Sequence, residues 1–237
     1  MNRMALFVVG LGTAGLSLTI IAAQAPAQAP AQGRGAPPPP MSFFVTSAGL
    51  GRGGDLGGLA GADAHCQALG AAAGRGGVTW RAYLSTQGAN AVNARDRIGA
   101  GPWHGANGLM IARDVGHLHG DTVEAARMGN GLHGLHATNE KGQIVQGRIA
   151  GTPASPSVHD ILTGTPPDGR AYTDGMDHTC SNWTSSVEGM GSAQVGHHDR
   201  VGFDNTSWNS THATRGCSQP NVSRGGGAGL FYCFAAN

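Results

Sequence analysis

Three of the four cysteines lie in the C-terminal runs TCSNWTSS (residues 179–186), GCS (216–218) and GLFYCFA (229–235). The first and last of these runs are strand-like, and they bracket a long loop rich in glycine and asparagine. The fourth cysteine, Cys66, lies far upstream on a helical pattern. This arrangement is typical of a small extracellular domain that displays a loop held by disulfides, and it indicates binding rather than catalysis.

The other regular elements can be predicted from their hydrophobic patterns. Small and apolar residues recur at helical spacing over Leu59–Ala73 and place Cys66 on the buried face. Strands are predicted at Ser42–Ser47, Thr79–Thr86, Thr179–Ser186, Ala193–His198 and Gly229–Ala235, with a short helix at Asn93–Gly99. The last strand is apolar on both faces, which is typical of a central strand. Residues 101–175 show no lasting periodicity, and so long a loop region indicates function.

The first 23 residues have the pattern of a secretory signal peptide. Arg3 supplies a positive charge, Met4 to Ala23 are apolar or small, and cleavage is expected after Ala23 or Ala27. The alternative is an uncleaved N-terminal anchor, because the apolar run is close to the ~20 residues of a membrane span. No cysteine precedes Cys66, which excludes lipid attachment of the bacterial lipoprotein kind. We therefore expect a secreted, periplasmic or cell-surface protein.

The rest of the chain divides into a linker and one domain. Residues 24–41 are rich in proline and alanine and are expected to form an extended spacer, while residues 42–237 form the predicted domain. The chain carries 15 Lys and Arg against 14 Asp and Glu, without a basic run. We therefore expect no nucleic-acid partner, and no membrane insertion after the leader is removed.

Four cysteines in an exported chain are expected to form disulfides. The residues alone permit three pairings, and they do not choose among them. A zinc site made by cysteines is disfavoured, because no two of them have the close spacing of a zinc knuckle.

Several short runs carry a resemblance to a known family. They are AHCQ (64–67), WRAYLS (80–85), DGR (168–170) and CSNW (180–183), followed by Cys217 and the strand at 230–234. In this order, over most of residues 43–236, they resemble the C-type-lectin-like fold. The similarity is strongest to its endostatin branch, the C-terminal domain of collagens XV and XVIII, and to bacterial relatives of that branch.

The resemblance implies an α+β domain with one main helix, a small mixed or antiparallel sheet and long irregular loops. It also implies nested disulfides, Cys66 with Cys233 and Cys180 with Cys217. The buried position predicted for Cys66 agrees with this pairing. Some bacterial relatives are surface proteins that adhere to matrix and serum components, so the resemblance implies recognition, although a fold does not determine a function.

Calcium and sugar binding in the lectin branch use a Glu-Pro-Asn or Gln-Pro-Asp triplet and a Trp-Asn-Asp strand. Here Gln-Pro-Asn (219–221) resembles the triplet but follows Cys217, and Trp-Asn-Ser (208–210) lacks the carboxylate. These departures weaken the expectation of calcium. Sugar binding does not depend on it, because Trp183 or Trp208 beside Asn and His can stack on a sugar and hydrogen-bond to it. Of the two, Trp183 is expected in the core.

A second motif, HLHGD (117–121), begins like the His-x-His-x-Asp metal motif of metallo-β-lactamase-type hydrolases. His117, His119 and Asp121 are therefore the zinc candidates. The next residue is Thr122 rather than the expected histidine, and histidines in loops commonly bond to water or backbone. A catalytic triad built on His-His-Asp (197–199) is disfavoured, because no Gly-x-Ser-x-Gly elbow accompanies it.

The leading hypothesis is an exported, non-enzymatic recognition domain that binds a carbohydrate or an extracellular-matrix or surface protein. The predicted ligand-binding residues, all in the Cys180–Cys217 loop, are Asp199, Asn205, Trp208, Asn209 and His212. Replacement of Trp208 by Ala is expected to abolish binding without unfolding. No catalytic residue and no firm cofactor are predicted, with calcium and zinc as candidates. The alternatives are a zinc-dependent hydrolase that uses His117, His119 and Asp121, and a structural envelope protein.

Overall fold

The computed structural model describes residues 37–148, 157–202 and 205–236. Pro38–Asn237 form one compact unit. The predicted signal peptide and residues 24–36 of the predicted linker lie outside the described residues. None of the helices in the described part of the chain has the length and apolar character that a membrane crossing requires.

The described residues form eight strands and five helices. In chain order the strands are β1 (Phe43–Val45), β2 (Trp80–Ala82), β3 (Trp103–His104), β4 (Met110–Ala112), β5 (Asp160–Leu162), β6 (Gln194–His197), β7 (His212–Ala213) and β8 (Gly227–Ala235). The helices are α1 (Gly58–Ala72), α2 (Val115–His119), α3 (Val123–Met128), α4 (Cys180–Trp183) and α5 (Gln219–Ser223), with a 3-10 turn at Ala94–Asp96. The fold is α+β, with one main helix and a small mixed sheet, as expected.

The last strand, β8, is the centre of the main sheet, which confirms its predicted position. It pairs antiparallel with β1 and β2 and parallel with β5. From β5 the sheet continues antiparallel to β6 and then to β7. β2 is shorter than the predicted run Thr79–Thr86, because Tyr83 and Ser85 bond to the backbone of Tyr232 and Thr163 outside the regular ladder.

The two faces of β8 belong to two different hydrophobic clusters, because successive side chains of a strand point to opposite faces. Phe231, Cys233 and Ala235 pack in one cluster with Phe44 and Trp80. Leu230, Tyr232 and Phe234 pack in the other, together with a second set of buried residues that includes Phe43, Tyr83, Trp103 and Trp208. Both faces of the strand are therefore covered.

Two disulfides connect these elements, and both are the pairs that the resemblance implies. Cys66, buried on α1, is joined to Cys233 of β8. Cys180 is joined to Cys217, which closes the loop that carries β6 and β7. In the usual chain-entropy account each bridge stabilises the fold by roughly 2–4 kcal/mol, mainly by restricting the unfolded chain.

The predicted strand at Thr179–Ser186 is wrong. Residues Cys180–Trp183 form the single turn α4, and φ is positive at all four of them, between 47° and 67°. Left-handed backbone costs roughly 1–2 kcal/mol per residue outside glycine. Local bonds compensate, since Thr179 Oγ1 accepts the N–H of Asn182 and Asp177 accepts the N–H of Ser181. Trp183 then enters the core, as expected, and donates its indole N–H to Ser85.

The region at 101–175 is not a continuous loop. It contains β3, β4, β5, α2 and α3, which are two to six residues long. Elements of this length are too short to show a hydrophobic period. Two of them begin at standard caps: Asp114 accepts the N–H of His117, and Thr122 accepts the N–H of Ala125.

Candidate functional site

Histidine and aspartate side chains meet at the ends of three neighbouring strands. Asp160 on β5 lies opposite His197 on β6. His212 on β7 lies opposite Val195, two residues before His197 on the same face of β6. Diagonal neighbours on one face are within reach of long side chains. We call Asp160, His197 and His212 the strand group; His159 precedes Asp160 and lies against it.

The nitrogens of three imidazoles surround one carboxylate oxygen. Asp160 Oδ1 lies 3.1 Å from His197 Nε2, 3.3 Å from His159 Nε2 and 3.7 Å from His212 Nε2. The two Nε2 atoms of His197 and His212 are 3.1 Å apart. Despite this proximity, neither Asp160 Oδ1 nor His159 Nε2 makes a well-aligned hydrogen bond, and both atoms are buried. Unpartnered buried polar atoms of this kind are rare in folded proteins.

The other ring nitrogen of each histidine has an oxygen partner. Nδ1 of His197 lies 2.7 Å from the carbonyl oxygen of Val201, and Nδ1 of His212 lies 3.2 Å from that of Ala213. His159 Nδ1 lies 3.1 Å from Asp199 Oδ1. Carbonyl and carboxylate oxygens can only accept, so in the neutral rings Nδ1 carries the proton and Nε2 presents a lone pair.

Asp199 is a supporting residue below the strand group. Its carboxylate accepts the backbone N–H groups of Arg148 and Val201, at 2.7 and 3.0 Å, besides the contact with His159. Burial alone would raise the pKa of Asp199, but these hydrogen bonds outweigh it and hold the pKa below its usual range. The charged carboxylate therefore orients the His159 ring.

Similar forces act on the strand group. Burial opposes ionisation of Asp160, but hydrogen bonds from His197 and His212, which donate when Nε2 carries a proton, outweigh it and lower its pKa. The contact with Asp160 raises the pKa of His212. The neighbouring His198 is fully buried, and burial lowers its pKa to about 4. Two carboxylates, those of Asp160 and Asp199, therefore lie among buried imidazoles.

A cleft of about 330 Å³ opens above these residues. Its lining includes His159, His197 and His212 together with Arg148 and Asn205. A second cleft, of about 210 Å³, also reaches Asp160 and His212. We use the name His–Asp cleft for the larger of these two.

The backbone of Gly226 lies close to two side chains that line this cleft. A Cβ there would lie 3.3 Å from His159 Nε2 and 3.5 Å from Arg148 Nη2, at a φ of +115°. Both the space and the backbone conformation therefore favour glycine.

Three of the five predicted ligand-binding residues lie at this centre. His212 and Asn205 line the cleft, and Asp199 lies beneath it. The other two are buried elsewhere. Trp208 is 4% exposed and packs against Tyr83 and Tyr232, so it cannot stack on a sugar at the surface. Asn209 is 1% exposed and donates to the hydroxyl of Tyr83 and to two proline carbonyl groups.

The predicted zinc candidates His117, His119 and Asp121, which we call the loop group, are not brought together around a common point. His117 bonds through its ring nitrogens to the backbone of Arg113 and Gly129. His119 bonds to the carbonyl of Val115 and the hydroxyl of Tyr83, and Asp121 pairs with Arg95. The side chains of this group are therefore used in structural contacts.

The candidate calcium triplet is likewise engaged. Gln219 Oε1 accepts the N–H of Gly53 at 2.7 Å, and Asn221 Oδ1 accepts the N–H of Gly189 at 2.8 Å. These side-chain oxygens connect α5 to neighbouring loops. The two histidine and aspartate clusters of the described residues that could hold a metal are His159, His197 and Asp199, and Asp160, His197 and His212, and neither contains a residue of this triplet.

A larger cleft, of about 570 Å³, lies beside α4 and is lined by Gln87, Tyr172 and Asn182 among others. Its polar groups already bond to one another: Gln87 N–H donates to Asn182 Oδ1 at 2.7 Å, and the Tyr172 ring stacks on His178. Nδ1 of His178, beside this larger cleft, is also buried without a partner. We favour the His–Asp cleft because there the unpartnered atoms lie within a cluster of histidine and aspartate side chains.

Sequence reasoning missed His159, Asp160 and Arg148. The signal that could have found the first two is the pair of His-Asp dipeptides, His159-Asp160 and His198-Asp199, at the ends of short strand patterns. Within the described residues, the side chains that could hold a metal form two overlapping sets. They are His159, His197 and Asp199, and Asp160, His197 and His212.

Compared with the models of known protein families and with curated proteins, the chain matches none.

Proposed function

We propose that the protein is an exported recognition domain of the C-type-lectin-like, endostatin-related type, and that it binds an acidic glycan in the His–Asp cleft. One observation carries the proposal: His159, whose buried Nε2 has no hydrogen-bond partner, lines an open cleft with other polar side chains, and the unpartnered Oδ1 of Asp160 lies 3.3 Å from that nitrogen. A concave site with a few convergent polar groups is the usual form of a ligand site.

Two features support the type of domain. Both disulfides are the nested pairs that the resemblance implies, and α1 and β8 occupy the places that it implies for the main helix and the last strand. Disulfides persist in oxidising compartments, which agrees with export. Because unrelated functions occur on one fold, the ligand is argued from the cleft and not from the resemblance.

The chemistry of the cleft favours charge and hydrogen bonding over stacking. Arg148 and His212 offer cationic or donor groups, and Asn205 and Thr211 are short polar neighbours. A guanidinium group recognises a carboxylate through two parallel hydrogen bonds. A saccharide that carries carboxylates therefore suits this cleft better than a neutral one.

The test is glycan-array binding by the full chain, purified in its oxidised form, in buffers with calcium, with zinc and with EDTA. We expect selective binding of acidic glycans. Arg148→Ala should weaken it about tenfold or more, since hydrogen bonds to charged groups contribute roughly 1.5–3 kcal/mol. Arg127→Ala, at the end of α3, is the matched control.

The outcomes separate the alternatives. Equal binding by Arg148→Ala and the unchanged protein would place the site outside the His–Asp cleft. Absence of glycan binding in every buffer would overturn the glycan proposal in favour of a protein partner or a structural role in the envelope.

A further inference from the structure

We propose that Asp160, His197 and His212 form a zinc site with an open position that faces the His–Asp cleft. This inference goes beyond recognition and holds whether or not the cleft binds a glycan. It rests on the positions of the ligand atoms, the orientation of the rings, the partners of the remaining nitrogens and the unpartnered atoms.

The distances between the three ligand atoms suit a zinc ion. Zinc binds imidazole nitrogen and carboxylate oxygen at about 2.0–2.2 Å in a tetrahedral arrangement, so its ligand atoms lie ~3.3–3.5 Å from one another. In the strand group the three separations are 3.1, 3.1 and 3.7 Å. One ion can therefore contact all three atoms after small side-chain movements.

The rings have the orientation that shared coordination requires. The centroids of His197 and His212 are 5.1 Å apart, with planes inclined at 72°. Two imidazoles on one tetrahedral zinc ion have centroids ~5 Å apart, as follows from the bond length and the tetrahedral angle. His159 is different, because it stacks on His197 at 4.0 Å with planes at 20°. We assign His159 as a positioning residue that lies between Asp160 and Asp199.

The hydrogen-bond partners follow the pattern of histidines that bind metals. Such histidines donate the second ring N–H to a backbone carbonyl or a carboxylate, which presents the other nitrogen to the ion. Nδ1 of His197 and Nδ1 of His212 meet the carbonyls of Val201 and Ala213. The two Nε2 lone pairs then face each other and the Asp160 carboxylate, and a cation between them removes this repulsion.

The ligand types select zinc rather than calcium. Calcium takes six to eight oxygen ligands, whereas imidazole suits zinc and related transition ions. Three protein ligands leave a further position for water or another ligand, which is the pattern of open zinc sites. His212 is 42% exposed in its side chain and lines the cleft, so the ion can enter from that direction.

The test is calorimetric titration of the full chain, stripped of metal in its oxidised form, with zinc chloride and separately with calcium chloride. We expect one zinc ion per chain and far weaker calcium binding. His212→Gln should weaken zinc binding by about 100-fold or more, since even changes to the partners of metal ligands cost roughly 10–100-fold. This variant is chosen because its side chain is the most exposed of the three ligands, and near-ultraviolet circular dichroism will check the fold.

His104→Gln, on β3, is the matched control and should bind zinc like the unchanged protein. Substitution with Co²⁺ is an independent test of the site. The visible absorption bands of a four- or five-coordinate ion should appear in His104→Gln and be absent from His212→Gln. Absence of stoichiometric zinc, or equal affinity in His212→Gln and the unchanged protein, would overturn the site. Zinc binding without glycan binding would support the zinc site and reject only the proposed function.

Discussion

The loop group and the strand group contain the same kinds of side chain, but they are assembled in opposite ways. The loop group follows the spacing of a metal motif within five consecutive residues, and the structure uses its members for backbone bonds, a tyrosine contact and an ion pair. The strand group has no motif spacing, and strand register alone brings its members together. Hydrogen-bond partners, rather than spacing in the sequence, therefore distinguish a structural histidine from a candidate ligand in this protein.

The largest expected effect concerns Trp208, which connects His119 of the loop group to the hydrophobic core. Trp208 packs against His119, at 5.7 Å between ring centroids, and against Tyr83 at 4.9 Å. We expect Trp208→Ala to lower the free energy of unfolding by roughly 3–5 kcal/mol, the usual cost of emptying a buried aromatic site. Urea denaturation measures it. If the free energy of unfolding of Trp208→Ala equals the wild-type value within error, Trp208 is not buried and is available for binding at the surface.

The next effect concerns the loop that carries the strand group. Removing the Cys180–Cys217 bridge with paired serine substitutions should lower the free energy of unfolding by about 2–4 kcal/mol, because the unfolded chain regains freedom. Thermal unfolding of the double variant and of the unchanged protein, both without reductant, measures the difference. If the two curves coincide before reduction, the bridge is not formed in the folded protein.

A direct comparison of the two groups uses zinc affinity. His197→Gln combined with His212→Gln should reduce it by about 100-fold or more, the loss expected for ligands rather than for their partners. His117→Gln should leave it unchanged, since that ring is held by backbone groups. Competition with a chromogenic chelator measures the zinc affinity of the double variant and of His117→Gln. A larger loss of zinc affinity in His117→Gln than in the double variant would indicate that the loop group binds the metal.

The smallest expected effect concerns the ion pair of the loop group. The hydrogen bond from the Arg95 guanidinium lowers the pKa of Asp121 below its usual range. The pair therefore stabilises the fold at neutral pH, and this stability is lost as the pH falls through the lowered pKa. Asp121 is 39% exposed in its side chain, so solvent screening limits the contribution to ~1 kcal/mol or less.

Urea midpoints of Asp121→Asn and the unchanged protein, measured over a series of pH values, test this contribution. The difference between the two proteins should be greatest at neutral pH and shrink toward acid. A difference that stays constant with pH would show that the charge of Asp121 is not involved.

The sequence predicted the elements whose signals are local. The bounds of α1 and β8 agree with the predicted ranges within two residues, because α1 is long enough to show a helical period and β8 is a continuous apolar run. At the left-handed turn α4 the local sequence predicts a strand, because Trp183 and the serines and threonines beside it are as common in strands as in turns. Its conformation depends on Asp177, Thr179 and the bridge to Cys217, which no local pattern reveals.

The candidate site also combines features that the sequence predicts with features that only the structure shows. Composition and patterning by themselves determined one main helix, several strands and cysteines expected to pair, and the resemblance added the α+β class and which cysteines pair. Only the tertiary structure decided that Trp208 is buried and that Asp160 meets His197 and His212. The physical reason is that register between β5, β6 and β7 is set by packing of the whole sheet, so residues up to 52 positions apart become neighbours without a sequence signal.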